Sequence, residues 1–482
     1  MNYKMILNII GKVFLIEAVL LVFPFVLSFI YAENIYLSYL IPMSGLLLVG
    51  SLLSLIRCED KRIYVREGFV IVAFSWILLS VIGAVPFVIS KSIPNYIDAL
   101  FETVSGFTTT GSSILSDVEA LPKSINFWRL FTHWIGGMGV LVFILTILPN
   151  NVGTIRLYQS ESPGPNSSKL VSKLRFTARI LYGIYFVLTV IEAVMLICGG
   201  MSVYDSVVHA MSTAGTGGFG VKNNSIAAYN SIYIEMVIAV FMVIFSINFN
   251  VFYFILIGQF KKALKCEEAR VYLAIIIIAT LIIAVNLLSQ SYSFGDAMRY
   301  SFFQVTSISS TTGYASTNFD TWPALSKSII FILMMIGACG GSTGGGIKVS
   351  RMSILFKSCV ADVKKIIRPR AVFNVKYENE VLSDNMVNSV KTYFVIWCAI
   401  VSVSTIILSI DGYGDFLTNL TASVTCLGNV GPGFNLVGPT MNFGGFAWYS
   451  KILLSFVMLA GRLEIFPILI LFSRHTWLKN IK

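Results

Sequence analysis

Long apolar stretches alternate with short polar connections along this chain, and the pattern predicts ten membrane-crossing helices. A crossing helix needs about 20 mostly apolar residues. The first stretch is longer than the apolar region of a typical signal peptide, and a second follows at once, so we interpret it as a membrane helix. The predicted crossings lie near 6–31, 36–56, 68–90, 126–148, 177–199, 231–258, 271–290, 326–357, 391–410 and 447–473.

Four other apolar segments are too short to cross a membrane, and each leads into a polar turn that contains glycine. Non-helical backbone survives at membrane depth only inside protein or along a wet cavity. We therefore predict re-entrant half-helices whose turns lie in the interior, near 97–107, 204–214, 296–308 and 415–426. We interpret the aspartates that head them as N-caps rather than ion ligands; these are Asp98, Asp205, Asp296 and Asp415.

The four turns resemble one another. The clearest is TTTGS at 108–112; SSTTGY returns at 309–314, with weaker echoes in GTGGF at 215–219 and GNVGP at 428–432. Their glycines recur about every 100 residues, and a fixed period is typical of structural repeats. Four units of crossing helix, half-helix, turn and crossing helix around one axis would place the turns in a ring, which is the architecture of a cation pore.

Composition agrees with a membrane protein. The chain has 482 residues, of which 56% are hydrophobic and 12% are charged, whereas soluble domains carry about 25% charged residues. The net charge of +11 does not indicate nucleic-acid binding, because the basic residues cluster in loops 57–67, 149–176, 259–270 and 358–390. By the positive-inside rule, both termini are predicted to be cytoplasmic and the four turns to open outward.

The predicted fold is an all-α integral membrane protein with two N-terminal helices and four pore repeats around a central cation pore. The longest polar loops have about 30 residues, too few for a nucleotide-binding domain, so such regulation would have to come from a partner. The predicted division is 1–60 for the N-terminal helices, then repeats at 61–170, 171–265, 266–385 (with an intramembrane glycine loop) and 386–482.

The turns have the composition that an ion filter requires. A bare K⁺ ion crosses a filter only if carbonyl oxygens replace its water shell, and glycine reaches the necessary backbone angles at little steric cost. The partly negative C-terminal ends of the half-helices would favour a cation. The alternative is four ordinary loops; their recurrence in register after an aspartate-headed half-helix favours the filter.

A second glycine-rich segment interrupts the predicted span 326–357. It does not match a nucleotide-binding loop, because Ile347 separates the last glycine from Lys348 and no strand precedes it. We interpret it as a flexible break in a pore-lining helix below the turns, that is, a gate, with a packing kink as the alternative. Its predicted gate residues are Gly340, Gly341, Ser342, Thr343, Gly344, Gly345, Gly346 and Lys348.

Arg462 lies deep in the last predicted span, and an intramembrane charge is by default a functional hypothesis. A pair with Glu464 is disfavoured because residues i and i+2 do not share a helix face. We expect Arg462 to project into the cavity or against the glycine loop. Four other polar residues in spans are interpreted as satisfied contacts between helices: Glu17, Glu192, Glu235 and Asn248. His133 and His209 are interpreted as packing or hydrogen-bonding residues.

Several motifs, in one order over nearly the whole chain, resemble those of a known family. They are REGF (66–69), SGFTTTGS (105–112), GGMG (136–139), SPGP (162–165), FQVTSISSTTGY (303–314), GACGGSTGGGIK (337–348), NVGPG (429–433) and GRLEIF (461–466). The chain closely resembles the TrkH/KtrB/HKT superfamily and, within it, the TrkH membrane subunits of bacterial Trk potassium uptake systems. The two extra N-terminal helices favour TrkH over KtrB.

The resemblance implies K⁺ uptake across the bacterial inner membrane, a homodimer in membrane lipid, and a cytosolic nucleotide-binding ring of the TrkA type. It also implies that K⁺ is bound by backbone carbonyls of three residues in each turn. Turn two has Gly215-Thr216 where chains of this family carry bulkier residues, and turn four has Asn-Val-Gly-Pro rather than Thr-Thr-Gly, which leaves the exact ligands of both turns open. The implied ligands are Thr109, Thr110, Gly111, Thr216, Gly217, Gly218, Thr311, Thr312, Gly313, Asn429, Val430 and Gly431.

Two alternatives belong to other classes of protein. A secondary transporter that couples K⁺ to H⁺ or Na⁺ would need an essential titrating carboxylate, for which Glu17, Glu192 and Glu235 are the buried candidates. An intramembrane enzyme would need a catalytic constellation such as HExxH or paired aspartates inside spans, and the sequence contains none. We therefore predict a channel-like subunit that is not an enzyme, carries no bound cofactor and binds no nucleic acid.

Overall fold

The computed structural model describes residues 1–57, 65–139, 174–378 and 380–477, and these are predominantly helical. Six helices in this part of the chain are long and apolar enough to cross a membrane, as the alternation of apolar and polar stretches predicts. They are Tyr3–Ile30 (with a junction at Leu21), Leu37–Ser54, Arg66–Ile89, Ala178–Cys198, Glu267–Leu288 and Asp384–Asp411. The described β-structure is a small antiparallel hairpin of Lys376–Tyr377 and Glu380–Val381.

Other predicted crossings are broken. The stretch 231–258 is not one helix: Ile232–Ser246 and Phe249–Leu256 meet at a bend of 90°. Ala324–Ile336 and Val349–Ile367 are separated by the glycine loop, and Trp448–Arg462 and Phe466–Phe472 by a short turn. Lys123–Gly137 accounts for the start of the predicted span 126–148, whose end lies outside the described residues. The total of ten crossings therefore stays a prediction.

The four predicted half-helices are present as short helices, within two residues of their predicted bounds. We call them the first to fourth re-entrant helices: Tyr96–Phe107, Val203–Gly215, Phe294–Ser309 and Phe416–Gly428. Shorter connecting elements complete the described chain: Phe260–Lys265, Arg474–Trp477 and the 3₁₀ turns Ser225–Tyr229, Phe319–Thr321 and Asn435–Val437.

The N-caps of the re-entrant helices differ from the sequence-based interpretation. The fourth is capped by Asp415, which accepts from the Thr418 amide at 2.9 Å. The others are capped by Asn95, Ser202 and Ser293. Their aspartates lie in the first turn instead, where a negative charge near the positive end of the helix dipole stabilises the helix. The interpretation of Asp98, Asp205 and Asp296 as caps was wrong, because a serine or asparagine three residues earlier has the capping geometry.

The distribution of exposed apolar and buried polar side chains is that of a protein surrounded by lipid. Large apolar side chains are exposed on the long helices, as at Val285 (68%) and Val395 (66%). The re-entrant helices bury polar side chains instead, among them Thr103, Ser212 and Thr425. Their hydroxyls mostly donate to carbonyls of the same helix, as Thr103 does to Ala99 at 2.7 Å. The polar backbone that ends inside the membrane is therefore surrounded by protein, as it must be.

The two N-terminal helices form a close pair. Gly11 of Tyr3–Leu20 faces Gly50 and Leu53 of Leu37–Ser54, and a β-carbon at Gly11 would lie 2.7 Å from both the Leu53 Cβ and the Ser54 amide nitrogen. Small residues that allow such an approach are typical of helix contacts in membranes.

We expect Gly11→Ala to separate this pair, because the new methyl group meets backbone that cannot move alone. Overpacking of this kind costs about 1–3 kcal/mol, and the unfolding temperature in detergent should fall. Gly45→Ala is the matched control, since a β-carbon there has no neighbour within 4 Å. Equal unfolding temperatures for the two variants would contradict the close contact.

Candidate functional site

Each re-entrant helix ends in the same backbone motif. The second residue of the turn donates its amide to the carbonyl five residues earlier, which satisfies one of the helix's last carbonyls. The four bonds are all 2.9 Å: Thr110 to Ser105, Gly217 to Ser212, Thr312 to Ser307 and Val430 to Thr425. We call residues 109–111, 216–218, 311–313 and 429–431 the first to fourth polar turns. Their shared geometry makes them equivalent despite their different sequences.

The first residue of every polar turn has left-handed backbone angles. In three turns this residue is a threonine, with φ of +55° at Thr109, +54° at Thr216 and +60° at Thr311. A β-branched residue is strained there, and strain of this kind clusters at functional sites. The fourth turn has Asn429 at φ +53°, and asparagine tolerates these angles better. The departure from Thr-Thr-Gly in that turn therefore keeps the backbone conformation.

The third residue of every polar turn is a glycine with positive φ, and the neighbouring turn requires it. A β-carbon on Gly111 would overlap the carbonyl oxygen of Gly217, one on Gly218 that of Thr312, and one on Gly313 that of Val430. A β-carbon on Gly431 would lie 2.8 Å from the Thr110 oxygen. The contacts therefore run from turn one to two, three, four and back to one, which closes a ring.

The ring surrounds an opening. A pocket of about 140 Å³ is lined by all four turn glycines, together with Ser112, Arg129 and Pro432 among others. Side chains join the fourth turn to the first: the Asn429 amide donates to the Thr110 hydroxyl at 2.9 Å, and the Ser112 hydroxyl donates to the Gly431 carbonyl at 3.1 Å. The predicted turn residues thus converge on one mouth, as the repeat pattern indicated.

The second turn differs for a steric reason. A β-carbon at Gly217 would overlap the imidazole ring of His133, and one at Gly215 would overlap the His133 carbonyl oxygen. His133 thus fills the space that a threonine side chain would occupy in a Thr-Thr-Gly turn.

The glycine loop, residues 337–348, packs directly against the third and fourth polar turns. The Gly345 amide donates to the Thr311 hydroxyl at 2.7 Å, and the Gly346 amide donates to the Gly428 carbonyl at 2.8 Å. A β-carbon at Gly345 would overlap that same carbonyl. The loop is therefore too close to the fourth re-entrant helix to carry a side chain at Gly345.

Arg462 reaches this loop, as expected. Its guanidinium donates to the Thr343 carbonyl at 2.7 Å and to the carbonyls of Gly136 and Gly137 at 2.5 and 2.7 Å. Glu464 pairs with Arg351 rather than with Arg462, as the sequence analysis predicted. A second cation, Lys348, donates to the Gly344 carbonyl within the loop. Lys348, Arg462, Glu464, Gly341 and Ser342 are among the residues around a cavity of about 120 Å³.

Glu268 is a buried residue of this region that the sequence analysis missed. Its carboxylate accepts from the amides of Gly340 at 2.6 Å and Ser350 at 3.1 Å, so it joins the loop to the first turn of the helix that follows. Asn248 donates to it at 3.5 Å, which agrees with the expected contact for Asn248. The signal in the sequence was a carboxylate at the start of an apolar helix, which also suits a simple helix terminus.

The other polar residues of the spans have different outcomes. Both carboxylate oxygens of Glu17 are buried without a hydrogen-bond partner among the described residues, so the interpretation of Glu17 as a satisfied contact was wrong. Glu192 is buried within reach of the Thr213 hydroxyl. Glu235 lies 3.5 Å from Arg299. His133 and His209 are hydrogen-bonded, as expected. The part of the chain that the structure describes contains no group of three His, Cys, Asp or Glu that could hold a metal ion.

Comparison with known proteins agrees with this geometry. The Trk system potassium uptake protein TrkH of Salmonella typhimurium is 32% identical over 99% of this chain and all of its own length. The TrkI protein of Halomonas elongata is 30% identical, covering 98% of this chain and 96% of its own. The crystal structure of the potassium transporter TrkH from Vibrio parahaemolyticus matches with a TM-score of 0.90 and 31% identity, covering 99% of this chain and all of that one. The TrkH family profile, described as a cation transport protein, matches residues 43–479, and the chain belongs to this family.

Proposed function

We propose that this chain is the K⁺-translocating subunit of a potassium uptake system in the bacterial inner membrane, and that it conducts as a channel. The observation that carries the proposal is the closed ring of four polar turns, each with its glycine against the next turn's carbonyl. The names of the relatives, potassium uptake proteins of Trk systems, favour K⁺ as the cargo.

The proposed K⁺ ligands are the backbone carbonyls of the four polar turns. Each turn alternates a left-handed residue, a residue with negative φ and a left-handed glycine, and alternation of this kind turns successive carbonyls to one side of the chain. Four such turns would offer stacked rings of oxygens in place of the water shell of K⁺. Because the ligands are backbone atoms, Gly217 and Val430 serve as well as the threonines at the same position.

The proposed gate consists of the glycine loop and Arg462. The loop lies against the third and fourth turns, and Arg462 ties its Thr343 carbonyl to the helix end at Gly136 and Gly137. A guanidinium beside the path would repel a crossing cation. If the loop moved, the Thr343 carbonyl that binds the Arg462 guanidinium would move with it.

The proposal extends to the surroundings of the chain. It places both termini in the cytoplasm, two copies in a homodimer, and a cytosolic nucleotide-binding ring of the TrkA type in control of the gate. The division into N-terminal helices and four repeats belongs to it as well. Two of the predicted boundaries, near 60 and near 170, and the SPGP motif at 162–165 lie outside the described residues.

A second candidate function is transport of K⁺ coupled to H⁺ or Na⁺. The observation that favours it is the complete burial of Glu17 and Glu192 inside membrane-spanning helices, because an intramembrane carboxylate is by default a functional hypothesis. Neither residue lines the two cavities described above.

Reversal potentials in proteoliposomes separate the two functions. For a channel, we expect the reversal potential to follow the K⁺ gradient alone and to stay fixed when a pH or Na⁺ gradient is imposed. Glu17→Gln and Glu192→Gln should conduct K⁺ with the same reversal potential as the wild type. A shift of the wild-type potential with the pH gradient, abolished by either substitution, would favour the coupled transporter.

The polar turns are tested by Gly313→Ser. The β-carbon of the serine would overlap the Val430 carbonyl, so we expect the K⁺/Na⁺ permeability ratio to fall by about tenfold, equivalent to about 1.4 kcal/mol, with membrane insertion retained. Gly431→Ser should act more weakly, because its nearest contact is 2.8 Å. Gly295→Ser, in the same repeat as Gly313 but with open space around it, is the control. An unchanged ratio for Gly313→Ser would remove the third turn from the filter.

The gate is tested by Arg462→Gln. A charge about 10 Å from K⁺ at an effective dielectric constant of about 20 repels it by about 1.7 kcal/mol, so removing that charge should raise K⁺ flux by about 18-fold. Arg462→Lys keeps the positive charge but loses the planar set of guanidinium N–H donors. Its K⁺ flux should stay near the wild-type value, because the charge that repels K⁺ is retained. Unchanged flux in Arg462→Gln would leave Arg462 as a structural charge.

A further inference from the structure

The second polar turn has the least conformational support of its own. It lies in a stretch where Gly215, Gly217, Gly218 and Gly220 occupy four of six positions. Glycine loses more conformational freedom on folding than any other residue, so a turn of this composition needs contacts from outside to hold one geometry. Those contacts converge on Phe219, the residue that follows the turn.

Phe219 has contacts to both its ring and its backbone, and we call these contacts the clamp. Its ring contacts the guanidinium of Arg129, 3.5 Å from the ring centroid, and the imidazole of His133, whose centroid is 4.2 Å away. Its amide donates to His133 Nε2 at 3.3 Å, and its carbonyl accepts from the Tyr314 hydroxyl at 3.2 Å. His133 Nδ1 lies 2.8 Å from the Gly106 carbonyl, so one neutral tautomer satisfies both ring nitrogens. The clamp therefore links the second turn to the first re-entrant helix.

A buried ion pair completes the link. Arg129 contacts Glu102 at 2.5 Å, with side chains only 3% and 0% exposed. Glu102 also accepts from the Ser113 hydroxyl and the Ile114 amide, both at 2.9 Å, and Arg129 donates to the Gly220 carbonyl at 3.2 Å. The pair thus connects the segment after the first turn to the segment after the second.

We infer that Glu102 and Arg129 are positioning residues that fix the first and second polar turns relative to each other and thereby set K⁺ over Na⁺ selectivity. This inference rests on the proposed function. Arg129 also lines the mouth of the ring, where its charge would repel cations if Glu102 did not neutralise it. Positioning and charge have different signatures. A displaced turn changes the K⁺/Na⁺ permeability ratio. A charge that is no longer neutralised lowers the flux of both ions instead, and this effect becomes smaller as salt screens the charge.

The test measures K⁺ and Na⁺ permeability in proteoliposomes for Glu102→Gln, Arg129→Gln, the double variant and Phe219→Leu. The double variant leaves no unpaired buried charge, which avoids the large penalty of breaking a buried pair. The matched control is Glu119→Gln with Lys222→Gln. That pair spans the same two segments at 2.9 Å but is about 40% exposed, and exposed pairs contribute little.

We expect the double variant and Phe219→Leu to lower the K⁺/Na⁺ ratio by about tenfold at both low and high salt, with the control at the wild-type ratio. Glu102→Gln should in addition lose flux of both ions at low salt. If a single variant fails to fold, the double variant and Phe219→Leu decide. A wild-type ratio in both of these, or an equal loss in the control, would overturn the inference. A wild-type protein without K⁺ selectivity would instead overturn the proposed function.

Discussion

The structure depends on one constraint: four helices end inside the membrane, and their last carbonyls must be satisfied there. The bond from the second turn residue to the carbonyl five residues earlier meets this need without a side chain. It requires a left-handed residue immediately before it, and three of the four turns place a strained threonine there. The strain persists because the turn is held by its neighbours in the ring, so the conformation of each turn and the closure of the ring depend on each other.

The closure of the ring of four polar turns explains which positions of each turn can vary. The third position must be glycine, since the next turn's carbonyl occupies the place of a side chain. The second position can be threonine, glycine or valine, because it contributes its amide and carbonyl. The contacts around the ring then differ: His133 and Phe219 support the second turn, whereas Asn429 reaches Thr110 from the fourth. Four unlike sequences reach one backbone geometry through unlike supports.

The sequence was informative where a physical requirement acts on neighbouring residues. Short apolar segments followed by glycine turns predicted the re-entrant helices, and the recurrence of the turn glycines predicted the ring of turns. Contacts between residues far apart in the chain could not be predicted in the same way. Glu268 and Gly340 are 72 residues apart, and Glu102 resembled any polar residue of a short helix. Asp415 is the predicted cap, but the prediction was wrong for Asp98, Asp205 and Asp296, because a serine or asparagine three residues earlier caps each of those helices instead.

The helix that follows the glycine loop, Val349–Ile367, meets the turn between Trp448–Arg462 and Phe466–Phe472 at charged residues. This contact bears on whether the glycine loop is a gate or a packing kink. Glu464 and Ile465 both have positive φ, of +56° and +68°, a costly conformation for such residues. The turn they form is held by the pair of Glu464 with Arg351, and Arg351 lies in the first turn of the helix that follows the loop, Val349–Ile367. Arg462, two residues earlier, holds the loop itself. A kink that only served packing would need no strained turn on the neighbouring helix. Backbone strain clusters at switch regions, and its position beside the glycine loop therefore favours the gate over the packing kink.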